Sequence, residues 1–436
     1  MGGRHRFAQA AERSGRDKSF AAPGPFVTGS EKAPLKTLCL RLPGLKKFLC
    51  PSLVPMARSA ADLRPGMPVA RLSPDPMKKF HLRLSGDLFN KPSASVGIDA
   101  LAAAPRIEYS YIEHQKPGPN EPNYHERIFS LRLQADDVVG VDGIVVCTPY
   151  VQPEAFAKGA EDLVVIGRAG IGYDKIDLAA CTANDVVVFN SPNGLTHSTA
   201  VGAMFFILAL SKRYYIQEKL TRQRRWDLGK YAGGDDLAGF TLGIIGLGKT
   251  GYELVRLMAP FRMRVIAYSP HGDPAAARAA GIELVGSMDE VLKQADYLSL
   301  HGRLDQRTRG MIGEREFNLM KPTAFFVNVA RGEMVDEDAL YRVLRDRRIT
   351  GAGLDVFHVE PLPADSPLMT LDNVLITQHS ICGSRQAGRA TNLAVMQGIV
   401  RITQGELPDN ILNPDVLKRP GFIKKLARQK ANSTNS

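Results

Sequence analysis

Three ionisable side chains each follow a short apolar run: Arg331 comes after VNVA, Glu360 ends GLDVFHVE, and His379 comes after ITQ. These residue types suit the reduction of a 2-oxo acid, in which a hydride reaches the carbonyl carbon and a proton reaches its oxygen. A histidine can act as the general acid, which is worth about 10²–10⁴-fold in rate. A carboxylate beside it would raise the imidazole pKa from its ordinary value of about 6.5. An arginine matches the substrate carboxylate with a planar, permanently charged fork.

Each of these side chains has an ordinary structural explanation when it is taken alone. Ligands of open α/β sheets lie beyond the carboxyl ends of the parallel strands. If the apolar runs are such strands, all three side chains meet at that edge. The hypothesis therefore depends on their joint occurrence with a dinucleotide-binding motif.

A glycine-rich segment, GLGKTG, follows the apolar run TLGII and precedes a helical pattern. In this context Gly246 permits a tight turn, Gly248 lets the backbone approach a pyrophosphate, and Gly251 lets helix and strand pack closely. The helix N-terminus then offers unpaired N–H groups to the phosphates. The predicted cofactor-binding residues of this segment are Gly246, Gly248, Lys249, Thr250 and Gly251.

Cofactor selectivity depends on the end of the next apolar run, at 264–268. An acid about twenty residues after the glycine motif normally accepts the ribose 2′-hydroxyl of NAD. Here Ser269 occupies that position, and the nearest arginine, Arg278, is not placed by the pattern. Because a serine does not repel a 2′-phosphate, we expect NAD or NADP as the cofactor, with relaxed selectivity or a preference for NADP.

The elements that must position these residues follow from the alternation of β-rich runs and helical patterns after residue 77, which is typical of a parallel α/β sheet. A long helix at about 198–210 is apolar on every side, so we expect it to be buried between domains or between subunits. The predicted strands are 144–147, 163–167, 186–190, 241–246, 264–268, 297–300, 324–328, 352–355 and 374–377. They predict an α/β fold in which a dinucleotide-binding sheet is embedded within a second α/β unit.

The net charge of +11 is concentrated at the two ends of the chain. Residues 1–76 hold 13 Lys and Arg against 5 Asp and Glu, and residues 418–436 hold 6 against none. The body is slightly acidic, so we expect no specific nucleic-acid partner. No apolar run is long and uninterrupted enough to predict a membrane span. Five cysteines without metal-like spacing favour free thiols, a reducing compartment and no bound metal.

The terminal segments are predicted to lie outside the folded units. Residues 1–76 indicate a disordered or non-native extension, a transit peptide, or an overlong start ahead of Met56 or Met77. Residues 418–436 are predicted to form a basic tail. We expect a cytoplasmic protein, or an organellar one if the first segment contains a transit peptide.

The chain resembles the D-isomer-specific 2-hydroxyacid dehydrogenase family, which includes phosphoglycerate, glyoxylate and hydroxypyruvate reductases. The resemblance covers most of the chain except its ends. The motifs that carry it are GRAGIGYDKIDL (167–178), TLGIIGLGKTG (241–251), MKPTAFFVNVARGEMVDEDAL (320–340), GLDVFHVEP (353–361) and ITQHS (376–380).

The resemblance implies two Rossmann-like domains with parallel sheets, the cofactor domain being inserted into a discontinuous substrate domain. The implied bounds are 77–190 with 384–417 for the substrate domain and 191–383 for the cofactor domain. A homodimer formed through the cofactor domain and a small 2-oxo acid substrate are also implied.

Individual roles follow from the same resemblance. Arg331 matches the substrate-binding arginine, Glu360 the acid paired to histidine, and His379 the acid/base histidine. Asp355 matches the contact to the nicotinamide carboxamide, and Ala330 is assigned to the cofactor site. Gly170 and Ile171 match the turn whose N–H groups hold the substrate carboxylate. We expect selectivity to reside in the loop at 148–151 and in the helix that faces the cleft.

Four positions depart from the family pattern, and we interpret them as tuning of specificity. Val201 stands where a glutamate is usual before the long helix, and Gln378 replaces the usual proline before the histidine. Arg303 replaces the proline of the usual HxPL segment, and Cys382 stands where a small residue is common.

Three alternatives remain open at this stage. Formate dehydrogenases of this fold pair their histidine with glutamine, and Glu360 argues against that activity. A non-enzymatic, NAD(H)-sensing regulator of the C-terminal-binding corepressor type would retain the same three residues. Such proteins usually carry a tryptophan soon after the histidine, whereas the one tryptophan here is Trp226. The third alternative is a protein that localises through its basic ends.

Overall fold

The computed structural model describes residues 78–88, 94–102, 104–118, 120–231 and 233–434. Our prediction for residues 1–76 lies outside the described residues. The strands are β1 (Phe80–Leu84), β2 (Ile107–Tyr111), β3 (Gly143–Val146), β4 (Val165–Arg168), β5 (Val187–Asn190), β6 (Thr241–Ile245), β7 (Arg264–Tyr268), β8 (Glu283–Leu284), β9 (Tyr297–Leu300), β10 (Phe325–Asn328), β11 (Gly351–Leu354) and β12 (Val374–Ile376).

Helices alternate with these strands along the chain. They are α1 (Ala94–Ala102), α2 (Tyr124–Arg127), α3 (Ala135–Val138), α4 (Leu178–Ala183), α5 (Asn193–Ser211), α6 (Tyr214–Arg222), α7 (Lys249–Met258), α8 (Pro274–Ala279), α9 (Met288–Gln294), α10 (Glu314–Leu319), α11 (Glu337–Arg345), α12 (Arg385–Thr403) and α13 (Pro420–Thr434).

The strands form two parallel sheets. The first has the order β2-β1-β3-β4-β5, and the second has the order β12-β11-β10-β9-β6-β7-β8. All residues of β3, β5, β9, β10 and β11 are buried. Such strands appear in the sequence as continuous apolar runs because parallel sheets are covered on both faces. The predicted fold class, two Rossmann-like units with parallel sheets, is confirmed.

The second sheet is inserted into the first unit, because α12 returns to the first sheet. A Cβ atom on Gly167 of β4 would lie 2.7 Å from Val395 of α12, and one on Gly97 of α1 would lie 2.9 Å from Met396. Only glycines allow this close approach of α12 to the sheet and to α1. The discontinuity predicted for this unit is therefore present.

The prediction of a basic tail at 418–436 is wrong for residues 420–434, which form α13. Phe422 is buried, and Gln429 donates to Asp142 at 2.8 Å. The number of basic residues in this segment did not indicate a packed helix, because the buried residues of α13 recur at helical spacing among the basic ones. Lys425 is also buried, and its Nζ donates at 2.7–2.9 Å to the carbonyl oxygens of Ala160, Leu163 and Asn184.

The long apolar helix is present as α5, and within the single chain it is buried on one side only. One side packs on the second sheet, where a Cβ atom on Gly353 would lie 2.7 Å from Phe206. The opposite side leaves Val201 36% and Phe205 48% exposed. Among the described residues, α5 is the one helix whose length and apolar composition would suffice for a membrane span.

Candidate active site

The three predicted catalytic residues follow three neighbouring strands of the second sheet. Arg331 lies just beyond β10, Glu360 beyond β11 and His379 beyond β12. These strands are adjacent and parallel, so their carboxyl ends open on the same edge of the sheet. The strand arrangement on which the three-residue hypothesis rests is therefore present.

His379 and Glu360 are in direct contact. His379 Nδ1 and Glu360 Oε2 are 2.7 Å apart, and their side chains are 31% and 19% exposed. The other carboxylate oxygen of Glu360 accepts from the Phe357 N–H at 3.2 Å, which fixes the carboxyl group. With Nδ1 engaged by the carboxylate, Nε2 is the ring nitrogen that can exchange a proton with a substrate.

A buried carboxylate holds the loop that carries His379. Asp355 Oδ1 accepts from Thr377 Oγ1 at 2.6 Å and from the N–H groups of Ser380 and Ile381 at 2.9 and 3.0 Å. The His379 N–H also donates to the Asp355 carbonyl oxygen at 2.7 Å. These bonds stabilise His379 in a left-handed conformation with φ +52°. Asp355, predicted as a cofactor contact, thus also positions the imidazole.

Arg331 is paired with Asp174, a residue that the sequence patterns did not single out. Arg331 Nε and Nη2 lie 3.0 and 2.9 Å from Asp174 Oδ1, and Nη1 donates to the Ala330 carbonyl oxygen at 2.7 Å. A Cβ atom on Gly172 would lie 1.6 Å from Arg331 Nη2, so the guanidinium rests on the glycine itself. Burial raises the pKa of Asp174, but the guanidinium outweighs it and holds the pKa below 3.8.

The turn after β4 contacts Arg331 through Gly172. Of the two backbone N–H groups in this turn that were predicted to bind the substrate carboxylate, one already donates hydrogen bonds within the protein. The Gly170 N–H already donates to Ser191 Oγ at 3.1 Å and to the Arg168 carbonyl oxygen at 2.9 Å. The φ of Gly170 is +148°, which favours glycine. The Ile171 N–H has no intramolecular acceptor among the described residues. The geometry thus favours Ile171 over Gly170 as the carboxylate donor.

The glycine loop joins β6 to α7 as predicted. Gly246 has φ +90°, and a Cβ atom on Gly251 would lie 3.3 Å from the Gly246 carbonyl oxygen, which accounts for both glycines. A Cβ atom on Gly248 would meet nothing within 4 Å. No side chain caps α7, so its first N–H groups, beginning at Lys249, are available to an anion. The loop fits the pyrophosphate of a dinucleotide.

Ser269 lies beside the glycine loop, because the Gly246 N–H donates to the carbonyl oxygen of Tyr268 at 2.9 Å. The nearest acid along the chain, Asp273, caps α8 by accepting from the Ala275 N–H at 2.8 Å. That carboxylate is therefore committed to the helix. The end of β7 fits either a ribose hydroxyl or a 2′-phosphate.

The loop at 148–151, expected to set selectivity, is anchored by a buried carboxylate. The Thr148 N–H donates to Asp87 Oδ2 at 2.9 Å, and its hydroxyl donates to the same oxygen at 2.5 Å. Tyr150 lies between two cations, with Arg132 and Lys175 4.9 and 4.6 Å from its ring centroid. Burial raises the pKa of Tyr150, and nearby carboxylates add to that rise.

The loop after β9 brings two further polar side chains to the same edge of the sheet. His301 Nε2 is 2.8 Å from Ser299 Oγ, and burial lowers the pKa of His301 to about 4, so this imidazole is neutral near pH 7. Arg303, noted as a departure from the family pattern, reaches the turn after β4 and contacts Tyr173. Neither contact is visible as a pattern in the sequence.

Comparisons with known proteins indicate the family to which the chain is similar. A family model described as "D-isomer specific 2-hydroxyacid dehydrogenase, NAD binding domain" matches residues 204–380. A glyoxylate reductase of Korarchaeum cryptofilum is 33% identical over 299 residues, which cover 67% of this chain and 90% of that protein. A D-3-phosphoglycerate dehydrogenase of Methanocaldococcus jannaschii is 40% identical over 254 residues, which cover 58% of this chain and 48% of that protein. The chain thus spans about half the length of the latter relative.

Solved structures share the overall fold. A glyoxylate reductase from Paecilomyes thermophila superposes with a TM-score of 0.66 at 26% identity, covering 78% of this chain and all of the other. A formate dehydrogenase from Granulicella superposes with a TM-score of 0.64 at 22% identity, over 74% and 85% of the two chains, which concerns the fold alone.

Proposed function

The chain belongs to the D-isomer-specific 2-hydroxyacid dehydrogenase family, and we propose on that premise that it reduces a small 2-oxo acid to the 2-hydroxy acid with a nicotinamide cofactor. The observation that carries this proposal is the 2.7 Å contact between His379 and Glu360 at the sheet edge that also holds Arg331. A histidine with a carboxylate partner is suited to proton transfer, and a nearby guanidinium is suited to a carboxylate substrate.

In the proposed mechanism, the bound cofactor supplies the hydride that reaches the carbonyl carbon. Arg331 binds the substrate carboxylate and would polarise the adjacent carbonyl oxygen as negative charge develops there. His379 gives its Nε2 proton to that oxygen, which becomes the hydroxyl of the product. Glu360 stabilises the imidazolium before the proton is transferred. Its contact with Nδ1 also holds the ring, so that Nε2 is directed away from Glu360.

Substrate binding must rearrange the ion pair between Arg331 and Asp174. Arg331 Nη2 and Nε already lie 2.9 and 3.0 Å from the same carboxylate oxygen, Asp174 Oδ1. A substrate carboxylate would share or replace that contact. Asp174 therefore keeps the guanidinium in place on Gly172 between turnovers, so that the site is oriented before substrate arrives.

The cofactor is proposed to be NAD or NADP. The glycine loop and the first turn of α7, with Lys249 and Thr250, would hold the pyrophosphate, and Ser269 would face the ribose 2′ position. Support for NADP use is the commitment of Asp273 to the cap of α8, which leaves no carboxylate from the end of β7 to repel a phosphate.

A homodimer is proposed from the exposed apolar surface of the cofactor domain. Phe205 of α5 is 48% exposed, and Trp226, beyond α6, is 79% exposed. Large apolar side chains that are left exposed are typical of association surfaces. Light scattering after size-exclusion chromatography tests this: a mass near twice 47.6 kDa is expected, and a monomer at micromolar concentration would refute it.

The activity is tested by following NADH and NADPH oxidation with glyoxylate, hydroxypyruvate, pyruvate and bulkier 2-oxo acids. Arg331→Ala is expected mainly to raise KM for the acid. The surface variant Arg345→Ala controls for loss of an arginine, since Arg345 lies at the end of α11 and is exposed. Cofactor binding without turnover of any acid would refute the enzyme and favour the NAD(H)-sensing regulator.

A further inference from the structure

The loop that follows β9 carries a second arginine to the opening between the two sheets. Arg303 comes directly after His301 and Gly302, and a Cβ atom on Gly246 would lie 2.5 Å from the Gly302 nitrogen. In the sheet, β9 lies between β6, which leads into the glycine loop, and β10, which leads into Arg331. Arg303 therefore stands between the dinucleotide-binding turn and the residue proposed to hold the substrate carboxylate.

Arg303 crosses to the substrate domain and meets Tyr173. Its guanidinium carbon is 5.3 Å from the centroid of the Tyr173 ring, and its Nη1 donates to the Tyr173 hydroxyl. The two sequence neighbours of this tyrosine, Gly172 and Asp174, both contact Arg331. Two guanidinium groups thus approach three consecutive residues of one turn, and they do so from adjacent strands.

The charge of Arg303 is less closely paired than that of Arg331. Arg331 Nη2 lies 2.9 Å from Asp174 Oδ1, whereas Arg303 Nη2 lies 3.6 Å from Asp305 Oδ2. Asp305 also lies 3.3 Å from a second guanidinium, that of Arg307. The Arg303 side chain is 58% exposed, so it is accessible to an anion in solution. It can therefore bind an anion without first breaking a close ion pair.

We propose that Arg303 is a specificity-determining residue that recognises a second anionic group, a carboxylate or a phosphate, on the 2-oxo acid. This inference rests on the proposed function, because it assumes that Arg331 binds the first carboxylate. A substrate so held would span the two arginines, with its reacting carbonyl nearest Arg331 and His379. The planar fork of an arginine suits both kinds of anion.

Two matched pairs of substrates test the proposal. Pyruvate and oxaloacetate differ by one carboxylate, and hydroxypyruvate and 3-phosphohydroxypyruvate differ by one phosphate. For the wild type, kcat/KM is expected to be at least about 10-fold higher for one of the two dianionic acids than for its partner. A hydrogen bond between two charged groups contributes enough binding free energy to change kcat/KM by about 10- to 100-fold. The pair that shows the preference identifies the anion.

Variants at the arginine and its partner separate the possible causes. Arg303→Leu is expected to lower kcat/KM for the preferred dianionic acid about 10- to 100-fold and to change that for the singly charged partner less than about 3-fold. Arg303→Lys should retain part of the preference, because a point charge remains. Tyr173→Phe, which keeps the ring but removes the hydroxyl acceptor, should preserve the preference.

Three results would overturn the inference. Equal losses with all four acids, or a raised KM for NADH and NADPH in Arg303→Leu, would place the arginine on the cofactor. A wild-type enzyme that prefers the singly charged acids would contradict a second anion site while leaving the proposed function intact. Absence of turnover with every acid would refute both.

Discussion

Replacing Glu360 by glutamine isolates the charge that the account assigns to the proton-transfer pair. The glutamine side chain has nearly the same shape, and its one carbonyl oxygen can still accept from His379 Nδ1. Its amide nitrogen then replaces the oxygen that accepts from the Phe357 N–H at 3.2 Å, so that longer bond is lost. The larger loss is the negative charge 2.7 Å from the imidazole nitrogen. The variant also has the histidine–glutamine pairing of formate dehydrogenases. It therefore also tests the alternative that the protein is a formate dehydrogenase.

The size of the effect follows from the separation and the exposure. Two unit charges 2.7 Å apart interact by about 6 kcal/mol at an effective dielectric of about 20 and by about 1.5 kcal/mol in bulk water. Both side chains are partly exposed, so solvent screens the interaction and the lower part of this range applies. A loss of about 2 kcal/mol in transition-state stabilisation corresponds to about a 30-fold fall in kcat/KM.

The assay is the steady-state reduction of the best 2-oxo acid at neutral pH and saturating cofactor. Glu314→Gln, on the exposed surface of α10, is the matched control and should keep kcat/KM within about 2-fold of the wild type. A Glu360→Gln enzyme within about 3-fold of the wild type would show that the carboxylate charge does not support proton transfer.

Three further outcomes follow from other contacts. Lys425→Met should lower the free energy of unfolding, measured by urea titration, by about 2–4 kcal/mol, because three carbonyl oxygens lose their hydrogen-bond donor. The control Lys424→Met replaces an exposed neighbour and should change this free energy by less than about 0.5 kcal/mol. The pKa of His301 is about 4 in the folded protein and about 6.5 in the unfolded chain, so the unfolded chain binds the proton first as the pH falls. The free energy of unfolding should therefore decrease by up to about 3 kcal/mol between pH 6.5 and pH 4. His301→Gln should remove this part of the pH dependence. Ser269→Asp should shift the kcat/KM ratio of NADH to NADPH by about 10- to 100-fold toward NADH, because its carboxylate repels a 2′-phosphate.

Each of these outcomes has a clear contrary result. Equal stability of the Lys425→Met and Lys424→Met variants would mean that the buried ammonium does not hold α13. An unchanged pH slope in His301→Gln would show that another group titrates. An unchanged cofactor ratio in Ser269→Asp would show that the end of β7 does not contact the ribose.

The sequence predicted the catalytic edge and every strand of the second sheet except the two-residue β8, because these features depend on local patterns. Continuous apolar runs mark parallel strands that are covered on both faces, as in β9 and β10. Once the strands are assigned, the rule that their carboxyl ends share one edge brings Arg331, Glu360 and His379 together without any knowledge of contacts. By contrast, β1 (FHLRL) and β2 (IEYSY) alternate polar and apolar residues and were not predicted.

The remaining features depend on pairings that are distant in the sequence. Asp174 and Arg331 are 157 residues apart and belong to different sheets, and nothing in either local pattern names the other. The docking of α13 depends on Lys425 meeting carbonyl groups of the first unit, which a count of basic residues cannot reveal. The apolar composition of α5 predicted burial between domains or between subunits, but composition alone does not indicate which side of the helix packs within the chain.

In the proposed mechanism, the His379 imidazole delivers the proton to the carbonyl oxygen of a substrate held by Arg331. Single-turnover reduction of the best 2-oxo acid, followed by the loss of NADH or NADPH absorbance, tests it when cofactor Kd is measured on the same samples. For His379→Ala we predict a rate of hydride transfer at least about 100-fold lower and a cofactor Kd within about 3-fold of the wild type. A near-normal rate in this variant would contradict the account.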